Sequence, residues 1–149
     1  MIGIIGAMEV EVEQLLEHMQ QTGSKTMSGI CFHEGIMAGV ECVVAQCGIG
    51  KVAAAVCTQT MIFLYQPQAV LFEGVAGGIG KDVHIGDLVV ATSLVQHDMD
   101  TSALGDPVGY ISALKEIFLP VPEKTVNLLA DCAEAVYQGH VCKGVIATG

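Results

Sequence analysis

Three times in its first 78 residues the chain carries a short apolar run into a glycine-rich turn. Residues 2–5 lead into Gly6-Ala7-Met8, residues 41–46 into Gly48-Ile49-Gly50, and residues 69–72 into Gly74-Val75-Ala76-Gly77-Gly78. Short apolar runs bounded by glycine read as buried strands. The first two turns open helical stretches. Residues 8–21 carry apolar side chains at 8, 12, 15, 16 and 19, and residues 51–65 are Ala-rich and stop near Pro67. Strand, tight turn and helix in direct succession dictate an α/β sheet with helices on both faces.

The rest of the chain extends that pattern. Residues 30–37 and 41–46 read as strands around Ala38-Gly39-Val40, and residues 87–91 as another strand. Between 96 and 119 polar residues and Gly/Pro punctuation replace periodicity, as in a long functional loop. Pro122 opens a helix with apolar positions 126, 129, 130, 133 and 136, closed by Gly139, and residues 143–148 start a last strand. That strand reads as central, yet nothing follows to cover it. A domain continuing beyond Gly149 is the expectation.

Composition narrows the function classes. Hydrophobic residues make up 52% of the 149 and charged residues 15%, the reverse of a disordered chain. No apolar run approaches the roughly 20 residues of a membrane span, and the N-terminus lacks the basic start of a signal peptide, so the cytoplasm is the expected location. The net charge of −10, with six lysines and no arginine, argues against a nucleic-acid surface, which needs clustered cations to replace phosphate counterions. The six cysteines sit in apolar runs without a CxxC pair, which predicts reduced core thiols and no zinc site.

In an open α/β sheet, ligands bind outside the carboxyl ends of the strands, where glycine lets backbone N–H groups approach closely. Each turn alone could be only a tight turn; three together point to a ligand site. None matches a dinucleotide or triphosphate fingerprint. Glu9, Glu11 and Glu13 crowd the first helical turn, either as ordinary helix N-terminal stabilisation or as a carboxylate held for general base chemistry. His97-Asp98-Met99-Asp100 offers metal-ligand types, but its remaining ligands would have to come from elsewhere, and loop hydrogen bonding is the plainer reading.

Together these segments resemble a known family. Ile2-Gly3-Ile4-Ile5-Gly6-Ala7-Met8-Glu9-Val10-Glu11 is similar to the opening of the 5′-methylthioadenosine/S-adenosylhomocysteine nucleosidases, and Cys47-Gly48-Ile49-Gly50-Lys51 to their second glycine turn. Gly74-Val75-Ala76-Gly77-Gly78, Ile85-Gly86-Asp87 and His97-Asp98-Met99-Asp100 follow in the family's order. The resemblance implies an αβα fold of the nucleoside phosphorylase type, with a mixed, partly barrel-like central sheet, and usually a homodimer. It implies hydrolysis of adenine thionucleosides to adenine and a thioribose, with no metal or organic cofactor. By the same resemblance Glu11 is the water-activating base, and Ala7, Met8 and Ile49 line the pocket. Ala76 falls at a substrate-binding position and Gly77 at the adenine site, while Thr101 and Leu104 fall where a neighbouring subunit closes the alkylthio pocket.

Two departures accompany the resemblance. Family members often carry Thr-Gly-Ser-Ala-Gly-Gly where this chain has Glu73-Gly74-Val75-Ala76-Gly77-Gly78, so a hydroxyl is lost at Val75 and a charge gained at Glu73. The family also continues past Gly149 with an Asp-x-Phe segment, a Met-Glu pair that grips the ribose and an Asp that protonates adenine. The 149 residues are therefore expected to form the N-terminal two-thirds of a single nucleosidase domain. A purine nucleoside phosphorylase of the same fold and an inert nucleoside-binding or dimerising fragment are the alternatives.

Overall fold

Cys42, Val43, Val44 and Ala45 are all buried, and the reason is that their strand is covered on both sides. Cys42 and Val44 pack with Val12 and Met19 of the first helix region, whereas Val43 and Ala45 pack with Ile5, Phe32, Cys57 and Met61. A two-sided burial of this kind produces a continuous apolar run instead of an alternating one. The computed structural model describes residues 1–149 as two compact units, Met1–Gly77 and Gly78–Gly149, and this strand is the middle one of the first unit's sheet.

The first unit runs β1 (Ile2–Gly6), α1 (Glu9–His18), β2 (Gln20–Met27), β3 (Ile30–Met37), β4 (Val40–Gln46), α2 (Lys51–Tyr65) and β5 (Val70–Phe72). Its five strands lie in the order β2-β3-β4-β1-β5. β1 is parallel to both β4 and β5, while β2, β3 and β4 form antiparallel hairpins. The hairpins turn at Ser28-Gly29 and Ala38-Gly39, both residues of each pair having positive φ, as two-residue turns that match strand twist require. Helix α1 covers one face and α2 the other, so the expected mixed α/β sheet with helices on both faces is present. α2 is capped at Gln66, whose N–H still donates to the Ile62 carbonyl and whose left-handed φ of 46° turns the chain out of the helix just before Pro67.

The second unit holds β6 (Leu88–Gln96), a short 3-10 turn (Ser102–Leu104), β7 (Phe118–Pro120), α3 (Glu123–Val136) and β8 (Val141–Thr148). Its sheet has the order β7-β6-β8, with β6 antiparallel to β7 and parallel to β8. Val126 and Ala130 of α3 pack on Val90, with Leu129 and Val141 around them.

Several sequence expectations need correction. The first helix stops at His18, not 21, because Met19 turns extended and buries itself beside Cys42 of β4. Residues 20–27 form a strand, and the stretch 96–119 ends in β7. Val136 is 84% exposed instead of facing the core. All six cysteines are free, but Cys132 is exposed; only Cys42, Cys47 and Cys57 are buried. Burial, with Cys47 beside it, pushes the Cys57 thiol up to about 11, which suits a packing role. No helix is long and apolar enough to cross a membrane.

Candidate functional site

The three glycine turns meet because their strands are neighbours. β4, β1 and β5 are adjacent and parallel, so all three turns leave the same edge of the sheet. Backbone pairing continues beyond the strand ends: Cys47 N–H donates to the Gly6 carbonyl at 2.9 Å, Gly48 N–H to Ala7 at 3.1 Å, and Glu73 N–H to Ile5 at 3.1 Å. Gly48 and Gly50 adopt φ of 85° and 104°, a backbone that side chains disfavour. Ala7, Met8, Val75 and the glycine turn bearing Ile49 are thereby brought to one place.

Glu11 ties this place together. It is the third residue of α1, and its Oε2 reaches back to accept the N–H groups of Ala7 at 2.7 Å and Met8 at 2.9 Å. That half of the interaction is ordinary helix capping. The other oxygen does something different: Oε1 accepts the N–H of Val75 at 3.0 Å, from the turn after β5. An ionised carboxylate offers about four acceptor positions, and three N–H donors leave one for a water or a sugar hydroxyl. Burial acts to raise the Glu11 pKa, but the N–H groups of Val75, Met8 and Ala7 outweigh it and hold the carboxyl below the ordinary glutamate value. Glu11 is therefore ionised at neutral pH and able to accept a proton.

Glu73 stands beside it with the opposite tendency. Burial pushes its pKa up, and the Glu11 charge adds to that. Environments that drive two neighbouring carboxyls apart are a recurrent feature of acid–base sites. Glu9 and Glu13 are not part of this arrangement. They line a cavity of about 710 Å³ along α1, together with Val12, Leu16 and Glu17, and neither Glu11 nor Val75 lines it. Gln46, Cys47 and Gly48 of the second turn line it as well, so the cavity borders the glycine turns without being lined by Glu11.

The remaining site residues are placed as follows. Ile49 is 80% exposed on its turn, and a Cβ added at Gly77 would meet nothing within 4 Å. In the second unit Thr101 caps the short 3-10 turn and its hydroxyl donates to Asp106 at 2.9 Å, while Leu104 is exposed. Asp100 accepts the Ser102 N–H at 2.9 Å, so part of the His97–Asp100 segment organises its own loop. No group of three His, Cys, Asp or Glu could hold a metal ion. Sequence reasoning singled out the turn from Gly74 to Gly78 but missed the Val75 N–H that reaches Glu11, because a main-chain donor has no residue-type signature.

Comparison with known proteins places the chain in a family. The model of the phosphorylase superfamily matches residues 1–149. A 5′-methylthioadenosine/S-adenosylhomocysteine nucleosidase of Chromohalobacter salexigens is 40% identical over 148 residues, covering 99% of this chain and 63% of that protein. The Neisseria meningitidis nucleosidase, solved with methylthio-immucillin-A, superimposes with a TM-score of 0.93 at 32% identity over 99% of this chain and 64% of its own. A Helicobacter pylori futalosine hydrolase is also similar, with a TM-score of 0.89 at 40% identity over 99% of this chain and 63% of its own. The chain thus spans under two-thirds of the length of these relatives, and its fold, its full-length match and the order of its glycine turns establish that it belongs to the phosphorylase superfamily.

Proposed function

We propose that the protein hydrolyses the N-glycosidic bond of 5′-methylthioadenosine and S-adenosylhomocysteine, releasing adenine and a thioribose, and that these 149 residues supply the water-activating side of the site. The observation that carries this reading is the Glu11 carboxylate, held ionised by three backbone N–H groups where three strand ends converge. Glycosidic cleavage develops positive, oxocarbenium-like character at the sugar. As the bond to adenine breaks, a water attacks the sugar carbon and passes its proton to Glu11. Adenine leaves with a proton that the resemblance assigns to an aspartate further along the family's sequence.

In this reading Ala7, Met8 and Ile49 shape the pocket around the ribose and thioether, and Ala76 and Gly77 present backbone to adenine. Thr101 and Leu104 close the alkylthio pocket of a neighbouring subunit in a homodimer. Water and side chains suffice for the chemistry, without a metal or organic cofactor. A role in methionine salvage in the cytoplasm follows from the substrates.

A phosphorylase would need cations to hold its phosphate nucleophile. The chain has no arginine, and Glu11 and Glu73 flank the turns. Two like charges about 4 Å apart repel by roughly 4 kcal/mol at an effective dielectric of 20, so these carboxylates oppose phosphate entry. The likeness to a futalosine hydrolase favours one further substrate class, a futalosine-type nucleoside cleaved by the same step. Assaying the full-length protein on methylthioadenosine, S-adenosylhomocysteine and futalosine, with and without phosphate, tests the reading. Phosphate-independent release of the base supports it; a strict phosphate requirement with a pentose 1-phosphate product refutes it.

A further inference from the structure

Gly74 is a glycine without a backbone reason to be one. Its φ is not in the left-handed region, unlike that of Gly48 or Gly50, so any residue could adopt its backbone. What excludes a side chain is the Glu11 carboxylate. A Cβ at position 74 would lie 2.6 Å from Oε1, 2.9 Å from Cδ and 3.2 Å from Oε2 of Glu11, and these are its three nearest neighbours. Gly6 closes the other side in a milder way: a Cβ there would lie 3.1 Å from Glu11 Cβ and 2.8 Å from Val12 Cγ1. The Glu11 side chain thus lies between Gly6 at the end of β1 and Gly74 in the turn after the adjacent parallel β5, and the residue after Gly74 donates the hydrogen bond to Oε1.

We propose that Gly74 is a positioning residue for the hydrolysis: its missing side chain lets the Glu11 carboxylate lie against the turn after β5, and so fixes which lone pair faces the attacking water. This rests on the reading of Glu11 as the base. A methyl group at position 74 displaces Oε1 from the Val75 N–H and leaves the carboxylate held only through Oε2 by Ala7 and Met8. Displacing a reacting group by about 1 Å costs on the order of 10²-fold in rate. Losing one N–H donor also raises the pKa of Glu11, so the acid limb of activity moves to higher pH.

The experiment is a double-mutant cycle in the full-length protein, combining Gly74→Ala with changes at Glu11. Gly74→Ala is expected to lower kcat by about 10²-fold with KM nearly unchanged and the acid limb shifted upward. In a Glu11→Gln background the same change is expected to cost nothing further. Thermal melts provide a second measurement that does not need activity: Gly74→Ala lowers Tm in the parent protein but is tolerated beside Glu11→Ala, where the clashing carboxylate is gone. Wild-type kcat in Gly74→Ala overturns the proposal, as does an equal loss of Tm in both backgrounds. Full activity in Glu11→Gln instead overturns the assignment of the base, a result distinct from either.

Discussion

The backbone N–H of Val75 donates to Oε1 of Glu11 across 3.0 Å, joining the first helix to a turn 64 residues further along the chain. This contact makes Glu11, the proposed base, a structural tie as well. Its folded pKa lies below the ordinary 4.5, so its ionised form contributes stability above pH 4.5, and that contribution is lost as pH falls through the folded value. Acid unfolding followed by circular dichroism is expected to show wild type more stable than Glu11→Gln at neutral pH, with the gap closing below about pH 4.5.

Glu73 has the opposite sign. Burial and the Glu11 charge raise its folded pKa, so it favours folding below its ordinary pKa and loses that advantage as pH rises through the raised value. Glu73→Gln is therefore expected to raise Tm at neutral pH and to have little effect at pH 4. Because Glu73 takes up its proton before Glu11 does on acidification, the acid limb set by Glu11 is expected to stay in place in Glu73→Gln. An unchanged Tm at neutral pH would show that Glu73 carries no destabilising charge in the fold.

Gly35 tests the packing of the sheet. It lies in β3 between β2 and β4, where a Cβ would stand 2.6 Å from Met19 Cγ and 2.7 Å from the Gln20 carbonyl oxygen. Overpacking of this kind typically costs 1–3 kcal/mol, and about that loss is expected for Gly35→Ala in urea denaturation. An unchanged midpoint would mean that the start of β2 yields freely.

Helix α2 presents an apolar surface on which the homodimer of the proposed function is expected to form. Val52 is 79% exposed and Phe63 74%, on a helix whose buried positions are Cys57 and Met61. Apolar side chains grouped on one exposed face mark an interaction site. Light scattering is expected to find a dimer at micromolar concentration in the full-length protein and a monomer after Val52→Glu with Phe63→Glu. A monomeric wild type would remove the dimer from the proposal.

The parts of the fold legible in the sequence are those buried on at least one face. β1, β3 and α2 have the bounds that their apolar runs and flanking turns indicate. Gln20–Met27 escaped because it is an exposed edge strand paired only with β3, and a strand without a buried face leaves no alternation to read. Met19 extended the apparent helix by matching its spacing, although its burial is against β4. At the site, the residues alone left Glu9, Glu11 and Glu13 equivalent, and the family resemblance singled out Glu11. The Val75 N–H that orients it was not, since the tie depends on β5 lying beside β1, a long-range pairing that no local pattern encodes.

Glu11 as the general base is tested most directly by measuring base release and nucleoside affinity side by side in wild type, Glu11→Gln and Glu9→Gln of the full-length protein. Glu11→Gln is expected to lose about 10²–10⁴-fold in kcat, while its Kd for methylthioadenosine, read by calorimetry, stays within a few-fold of wild type. Glu9→Gln is expected to behave as wild type, because Glu9 is exposed and takes no part in the hydrogen bonds that converge on Glu11. Equal losses in the two variants, or a Glu11→Gln protein that still turns over at the wild-type rate, would contradict the assignment.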